Sequence, residues 1–229
     1  DKGYRLVIND DGGWEFIPLD PSKPAGVVPT EYPVGFFTSA TGITLYSGDA
    51  YPAKYLGDAF VGDVGGNLVH RKNVNSNGHI YTSKRADEGV EFIQSKDNWF
   101  RPVNFLNAPD GTLYVLDMYR ETVEHPYSIP QEIKKFLHLT SGKDRGRIYR
   151  VVREDMNIRK PVNLDAMTNA ELVNELSSSN GWNRDTAQRL LVERDDKTVQ
   201  IALNNILLKG SSSVGRLHSS VSFFGTFAV

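Results

Sequence analysis

One stretch of the chain holds residues suited to acid–base chemistry. His125 is a candidate general base, because imidazole is the side chain whose charge ordinarily changes near neutral pH. Asp117 ends a predicted strand, where its carboxylate is placed to orient the imidazole, and Tyr119 and Glu124 are close in sequence. We therefore predict Asp117 and His125 as catalytic residues. The alternative is structural: His125 precedes Pro126, which favours an extended backbone, and the histidine then only orders the loop.

Other polar groups in the same region have simpler interpretations. Asp110 and Gly111 form a dipeptide typical of the turn between two strands. Asp144, Arg145 and Arg147 are close in sequence and are typical of a solvated ion-pair network. We interpret both groups as structural.

The composition is that of an ordinary globular protein. The 229 residues are 39% hydrophobic and 24% charged, with a formal net charge of −2. No nucleic-acid partner is expected, since phosphate binding requires a basic face. The sequence has no cysteine, which excludes disulfides, thiolate metal sites and covalent haem attachment within these residues. No apolar run approaches the roughly 18 residues of a transmembrane segment, and we expect any secretory signal to lie outside this sequence.

Residues 1–153 are predicted to be all-β. Short aromatic and β-branched runs alternate there with clusters of Gly, Asp, Asn and Pro, as in consecutive antiparallel strands and turns. The predicted strands are 4–8, 14–17, 35–46, 59–62, 67–73, 79–85, 90–94, 103–106, 112–117 and 147–152. These are more strands than one small sandwich needs.

A repeated strand motif favours a β-propeller. Residues 66–71 (GNLVHR) resemble residues 146–150 (GRIYR), and repeated strand groups of this kind are typical of propellers and arrays. Arg71 and Arg150 are 79 positions apart, more than the roughly 40 to 50 residues of a usual blade. We place the excess in an inserted loop, residues 118–145, with a helical pattern at 131–139. Long ordered loops on rigid scaffolds often carry function.

The β half is too short for a closed propeller. Closed propellers have about 4 to 8 blades, whereas this half accounts for only the last few. We therefore predict the C-terminal blades of an incomplete propeller. We expect the piece to expose unpaired strand edges and to aggregate or dimerise through them.

The second half is predicted to be a truncated HEAT-like α-solenoid at 165–229, after a linker at 154–164. Asp165 or Thr168 is predicted to cap the first helix, with Glu171 completing a capping box. Asn183 or Asp185 is predicted to begin the second helix, and a third spans 198–208 and stops at Gly210. Arg184 aligns with Arg216 at a period of 32 residues, a weak repeat. Residues 218–229 depart from a helical pattern because they are rich in Ser and contain Gly225.

Three motifs together resemble a known family. They are 98–103 (NWFRPV), 108–117 (APDGTLYVLD) and 146–150 (GRIYR). They are similar to those of the large membrane-bound dehydrogenase-like proteins of planctomycetes and verrucomicrobia, whose propeller resembles that of soluble glucose and sorbosone quinoprotein dehydrogenases. The resemblance covers roughly residues 36–208. One departure is Thr41, where the family usually has a cysteine.

The resemblance implies a function and its site residues. It implies a six-bladed propeller in a quinoprotein-like sugar or alcohol dehydrogenase that uses pyrroloquinoline quinone and calcium. A cytochrome c domain outside this chain would receive the electrons, and the parent protein would be periplasmic or associated with the cell envelope. Arg101 matches a cofactor-side arginine of the glucose dehydrogenase propellers, and Tyr119 and Arg120 lie in the matching insertion; a guanidinium binds carboxylates bidentately. The alternative for Arg101 is an ion pair with a turn carboxylate.

A different class of function stays open. The insertion and the solenoid would also suit a non-catalytic module that recognises carbohydrate or protein, since propellers host many functions.

Overall fold

The computed structural model describes residues 4–8, 14–18, 37 and 40–226. The chain divides into two compact units, Asp1–Phe36 and Phe37–Val229. In the first, β1 (Tyr4–Ile8) and β2 (Trp14–Pro18) pair antiparallel, as the sequence predicts. The part of the predicted strand 35–46 that precedes Ala40 falls largely outside the described residues.

Two antiparallel sheets form the first part of the second unit. One has the strand order β3 (Ala40–Leu45), β4 (Ala59–Asp63), β5 (Leu68–Asn77) and β6 (Ile80–Arg85), with β7 (Ile93–Gln94) also paired to β5. The other consists of β8 (Pro102–Asn107), β9 (Leu113–Asp117) and β10 (Arg147–Val151). Their shared core contains Tyr46, Phe60, Val69, Phe100, Phe105, Leu113 and Val115.

The two sheets repeat the same three-strand meander. In β4 and β5, Asp63 pairs with Leu68, and in β9 and β10, Asp117 pairs with Arg147 at the corresponding register. Each first strand also has a register shift near its start. The repeat predicted from the two third strands therefore extends over whole meanders.

Arginines at equivalent positions form an ion pair in both meanders. Arg71 of β5 donates through Nη1 to Asp58 Oδ2 at 3.1 Å, just before the second strand of its sheet. Arg150 of β10, at the position equivalent to Arg71, donates to Asp110 Oδ2 at 3.2 Å, in the turn before the second strand of its sheet. Sequence reasoning assigned Asp110 to a turn only, but its carboxylate also fixes the third strand.

The two first strands lie side by side. Thr41 Oγ1 donates to the Pro102 carbonyl at 2.6 Å, and the Asn107 side chain donates to the Leu45 carbonyl at 3.0 Å. Among the residues that the structure describes, the sheets do not close into a ring. What the structure establishes is two antiparallel sheets followed by helices.

The inserted loop lies where the sequence predicts it. It connects β9 to β10, two paired strands of one sheet. Its α-helix, α1 (Gln131–Lys134), is shorter than the predicted 131–139. Turns replace the helix beyond Lys135, because the helix buries no side chain and so lacks the tertiary packing that stabilises short helices.

Four further helices follow. They are α2 (Asn169–Glu175), α3 (Gly181–Arg194), α4 (Gln200–Lys209) and α5 (Ser213–Gly225). The predicted capping box of Thr168 and Glu171 is confirmed, and Gly210 ends α4 as predicted. The start of α3 was predicted wrongly: it begins at Gly181, because the Asn180 side chain accepts the N–H of Trp182.

The helix α5 contradicts the expectation that residues 218–229 depart from a helical pattern. Its serines are accommodated inside the packing: Ser219 Oγ donates to the Leu203 carbonyl at 2.7 Å, and Ser222 Oγ donates to the His218 carbonyl. Gly225 lies against Val192 of α3. Small residues therefore allow close helix contact here.

The weak 32-residue repeat corresponds to a real structural repeat of helix pairs. Asn180 caps α3 and Ser212 caps α5. Four residues later, Arg184 Nη1 donates to the Ser178 carbonyl and Arg216 Nη1 to the Gly210 carbonyl, so each arginine reaches back across the preceding loop. The pairs α2–α3 and α4–α5 are equivalent units.

The helices dock onto the sheets at the start of α3. The N–H of Gly181 donates to the Ser47 carbonyl at 2.8 Å, and Asn180 Nδ2 donates to the Pro109 carbonyl at 3.1 Å. Between the sheets and the helices, the predicted linker 154–164 has no regular structure until a 3₁₀ turn, Leu164–Ala166. No helix in the described residues is long and apolar enough to span a membrane.

Candidate functional site

Asp117 is the structural centre of the predicted site. Its carboxylate is buried at the end of β9, and Oδ1 accepts the main-chain N–H of Arg101 and that of Tyr119, both at 2.8 Å. Tyr119 has a left-handed backbone, with φ of +51°. Asp117 therefore fixes the tight turn that leads from the sheet into the inserted loop.

The second oxygen of this carboxylate is unusual. Asp117 Oδ2 is buried and has no hydrogen-bond partner among the described residues. The nearest cation is Arg147, whose Nε lies 4.0 Å away. A buried acceptor without a donor is costly. Because the Asp117 side chain is fully buried, a ligand would reach this oxygen only after the side chains above it moved.

Arg147 joins the site, although its sequence position suggested a solvated ion-pair network. Its guanidinium lies 3.6 Å from the centroid of the Tyr119 ring, a close cation–π contact. The sequence signal that could have found Arg147 is the strand repeat. Arg147 begins β10, and the register pairs it with Asp117 at the end of β9.

Aromatic and acidic groups complete the cluster. The Trp99 and Tyr119 rings lie 5.5 Å apart, and the Tyr119 hydroxyl donates to Asp97 Oδ2 at 3.0 Å. The hydrogen bond to Asp97 raises the pKa of Tyr119 above its ordinary value. The cluster thus presents two rings, two carboxylates and a guanidinium together.

Arg101 lies beside this cluster, but its guanidinium is largely committed to the main chain. It donates to three carbonyls, those of Val64 at 2.6 Å, Arg120 at 2.9 Å and Glu121 at 2.9 Å. Burial lowers the pKa of Arg101. Because a guanidinium has five N–H groups, two are left for other partners.

Arg120 contributes mainly to the anchoring of the inserted loop. Its N–H donates to the Trp99 carbonyl at 3.1 Å, and its Nη1 donates to the Thr140 carbonyl at 3.2 Å. The side chain thereby links the two ends of the loop.

The hydrogen bond and the ring contact of His125 are both made within the inserted loop. Its Nδ1 accepts the N–H of Tyr127 at 3.3 Å, and its ring stacks on the Tyr127 ring at 5.3 Å. No hydrogen bond joins it to Asp117 within the described residues, so the expected orientation of the imidazole by that carboxylate is not found. With Nδ1 accepting, the neutral ring carries its proton on Nε2.

A comparison with protein families places the chain. The family model described as a domain of unknown function, DUF7133, matches residues 20–155, more than half of the 229 residues. The chain belongs to the DUF7133 family. Neither a curated protein nor a solved structure matches it.

The DUF7133 match contains every predicted site residue. Arg101, Asp117, Tyr119, Arg120 and His125 all lie within it, and so does Arg147. It ends just after β10, so the four helices α2 to α5 follow the family domain. The site and the inserted loop are therefore features of the DUF7133 part of the chain.

Proposed function

We propose that the chain is part of a quinoprotein-like sugar or alcohol dehydrogenase, and that the repeated meanders are neighbouring blades of its propeller. The matching registers and the side-by-side first strands support the blade assignment. The observation that carries the functional proposal is Asp117 Oδ2, a buried carboxylate oxygen without a donor, next to Arg147 and Tyr119.

The side chains of the cluster are of the types that would bind pyrroloquinoline quinone. Its carboxylates would bind the free N–H groups of Arg101 and the guanidinium of Arg147, and its planar rings would lie against Trp99 and Tyr119. When bound, the quinone would supply the two-electron oxidation of the alcohol. Asp117 Oδ2 would accept a hydrogen bond from the substrate hydroxyl and hold its proton.

His125 stays a predicted base, but its Nδ1 is occupied by the loop it caps, which favours Asp117 as the proton acceptor. The described residues contain no group of three His, Cys, Asp or Glu side chains that could hold a metal ion. We therefore assign no step to calcium.

The proposal extends to the parent protein. It places that protein in the periplasm or cell envelope, with a HEAT-like solenoid after the propeller. A cytochrome c domain outside this chain would accept the electrons.

The test is titration of the chain with pyrroloquinoline quinone, with and without calcium, followed by the quenching of tryptophan fluorescence. We expect saturable binding that weakens at least about tenfold in Arg147→Gln, the loss of one charged contact. The matched control is Arg153→Gln, whose arginine forms an exposed pair with Asp155. The parent protein should also reduce a dye in the presence of sugars, and Asp117→Asn should abolish that activity without abolishing quinone binding.

A second candidate is a non-catalytic recognition module. The inserted loop exposes Tyr127 (93%) and Phe136 (81%), and exposed aromatic side chains are common in binding surfaces. Binding of a glycan or protein that is lost in Tyr127→Ala and Phe136→Ala, together with an absence of quinone binding, would favour this function over the dehydrogenase.

A further inference from the structure

Two Asn-Gly dipeptides occur in the sequence, and the structure places them in opposite surroundings. Asn77–Gly78 is at the turn of the hairpin formed by β5 and β6, whereas Asn180–Gly181 is at the start of α3. An asparagine side chain is most open to attack by the next main-chain nitrogen when glycine follows, because glycine has no Cβ to hinder the approach. The two sites therefore show, within one molecule, what the fold adds to this chemistry.

At the first site, the two groups that would react are exposed and free of hydrogen bonds. Asn77 pairs with Ile80, which leaves a two-residue turn between them. Gly78, the first residue of that turn, has the positive φ, +64°, that this position requires. Residues 75–80 are all exposed. Among the residues that the structure describes, neither the Gly78 N–H nor the Asn77 side-chain amide has a hydrogen-bond partner.

At the second site, the same two groups are buried and bonded elsewhere. Asn180 is only 3% exposed. Its Nδ2 donates to the Pro109 carbonyl at 3.1 Å, and its Oδ1 accepts the N–H of Trp182 at 3.1 Å. The Gly181 N–H donates to the Ser47 carbonyl at 2.8 Å. A reaction between the Asn180 side chain and the Gly181 nitrogen would therefore require the helices to separate from the sheets.

We propose that Asn77 is a site of spontaneous modification, converted in the folded protein to aspartate and isoaspartate, and that the fold protects Asn180. The Gly78 nitrogen gives up its proton and attacks the side-chain carbonyl carbon of Asn77, the amide nitrogen leaves as ammonia, and a succinimide ring forms. Water then opens the ring at one carbonyl to give aspartate, or at the other to give isoaspartate. One water is consumed and one ammonia released. The inference is independent of the proposed function.

Ring formation requires the last pair of the hairpin to open. Asn77 ends β5 in an extended conformation, which holds its side-chain carbon away from the next nitrogen. The three pairs nearest the turn join residues 75–77 to residues 80–82, and all six of these residues are exposed. Strand ends that bury no side chain open at little cost in free energy, whereas a buried helix start opens only with its surroundings.

The products should alter only the tip of the hairpin. Both add a negative charge at position 77, and isoaspartate also adds an atom to the main chain, which breaks the register of the two-residue turn. The base of the hairpin is held separately, because Asn73 donates to Asp58 at 3.0 Å and Arg85 Nε donates to the Asp87 carbonyl at 2.8 Å. The modified chain should therefore stay folded.

The test is peptide mapping by mass spectrometry after the folded chain is incubated in mildly alkaline water enriched in heavy oxygen. We expect Asn77 to take up heavy oxygen at least about tenfold faster than Asn180, at a rate that rises with pH because the attacking nitrogen must lose its proton. In urea, where both sites are exposed, the two rates should be similar. The chain carrying Asn77→Asp supplies the reference peptide that separates aspartate from isoaspartate.

Two controls separate the effect of the glycine from that of exposure. Asn75 is exposed on the same strand but precedes Ser76, so it should react more slowly than Asn77. Asn77→Gln, whose longer side chain closes a less favourable ring, should remove the signal. Equal rates at Asn77 and Asn180 in the folded chain, a faster reaction at Asn75, or an Asn77 that reacts only in urea would each overturn the proposal.

Discussion

At the scale of single residues, several buried charges of this protein are held by specific partners. Arg71 is the clearest case: its guanidinium bonds to Asp58 and bidentately to Asp87, and it stacks on Tyr55 at 4.4 Å. Asp58 also accepts from Asn73. This network fixes the connection after β6 onto β5.

Loss of Asp58 should be costly, because it leaves a buried guanidinium short of one carboxylate and Asn73 without its acceptor. We expect Asp58→Ala to lower the free energy of unfolding by about 3 kcal/mol in urea denaturation. Asp155→Ala, which removes an exposed ion pair with Arg153, should change it far less, because solvent screens that pair. Equal effects of the two variants would contradict the importance of burial.

Acid should destabilise the fold through Asp110. Burial alone would raise the pKa of Asp110, but hydrogen bonds from Thr112 and Arg150 hold it below its ordinary 3.8. A depressed folded-state pKa contributes stability that is present above pH 4 and is lost as the pH falls through that pKa. Thermal melts below pH 4 should therefore show a smaller acid loss in Arg150→Met than in the wild type. Arg153→Met leaves the contacts of Asp110 unchanged and should retain the acid loss that comes from Asp110.

At the scale of elements, the docking of α3 depends on a glycine. A Cβ on Gly181 would collide with the side chain of Ser47, whose carbonyl accepts the Gly181 N–H. No side chain larger than hydrogen fits without displacing the sheet or the helix.

We expect Gly181→Ala to destabilise the protein by about 1–3 kcal/mol, because overpacking shifts the helix start from the sheet. Ser47→Gly in the same chain should restore part of that loss, since it removes the colliding side chain. Urea denaturation of both variants measures this, and a double variant no more stable than Gly181→Ala would show that the contact is not the cause.

At the scale of the whole molecule, sheets and helices of residues 37–229 form one compact unit. Contacts such as Asn180 to Pro109 and Ser179 to Asp49 join them. The two parts therefore are expected to unfold together.

The measurement is urea unfolding followed by two signals. Helix content is read by circular dichroism and the sheet region by Trp99 fluorescence, in a chain with Trp14→Phe and Trp182→Phe. The two midpoints should coincide. Separate midpoints would mean that the helices form an independent domain.

Sequence patterns by themselves determined the elements with strong local signals. The strands, the inserted loop, the capping box at Thr168 and the stop at Gly210 follow from side-chain periodicity, turn residues and caps, which act over a few positions. The two repeats were also visible in sequence, because equivalent positions have equivalent neighbours.

Only the tertiary structure decided the contacts of the site and whether the serine-rich end of the chain forms a helix. Arg101 reaches the Val64 carbonyl 37 positions away, and Arg147 lies on Tyr119 across the whole inserted loop. Ser219, which disfavours a helix by composition, is satisfied by the carbonyl of Leu203. The physical reason is the same in each case: a polar group finds its partner through chain folding, and the local sequence carries no record of that partner.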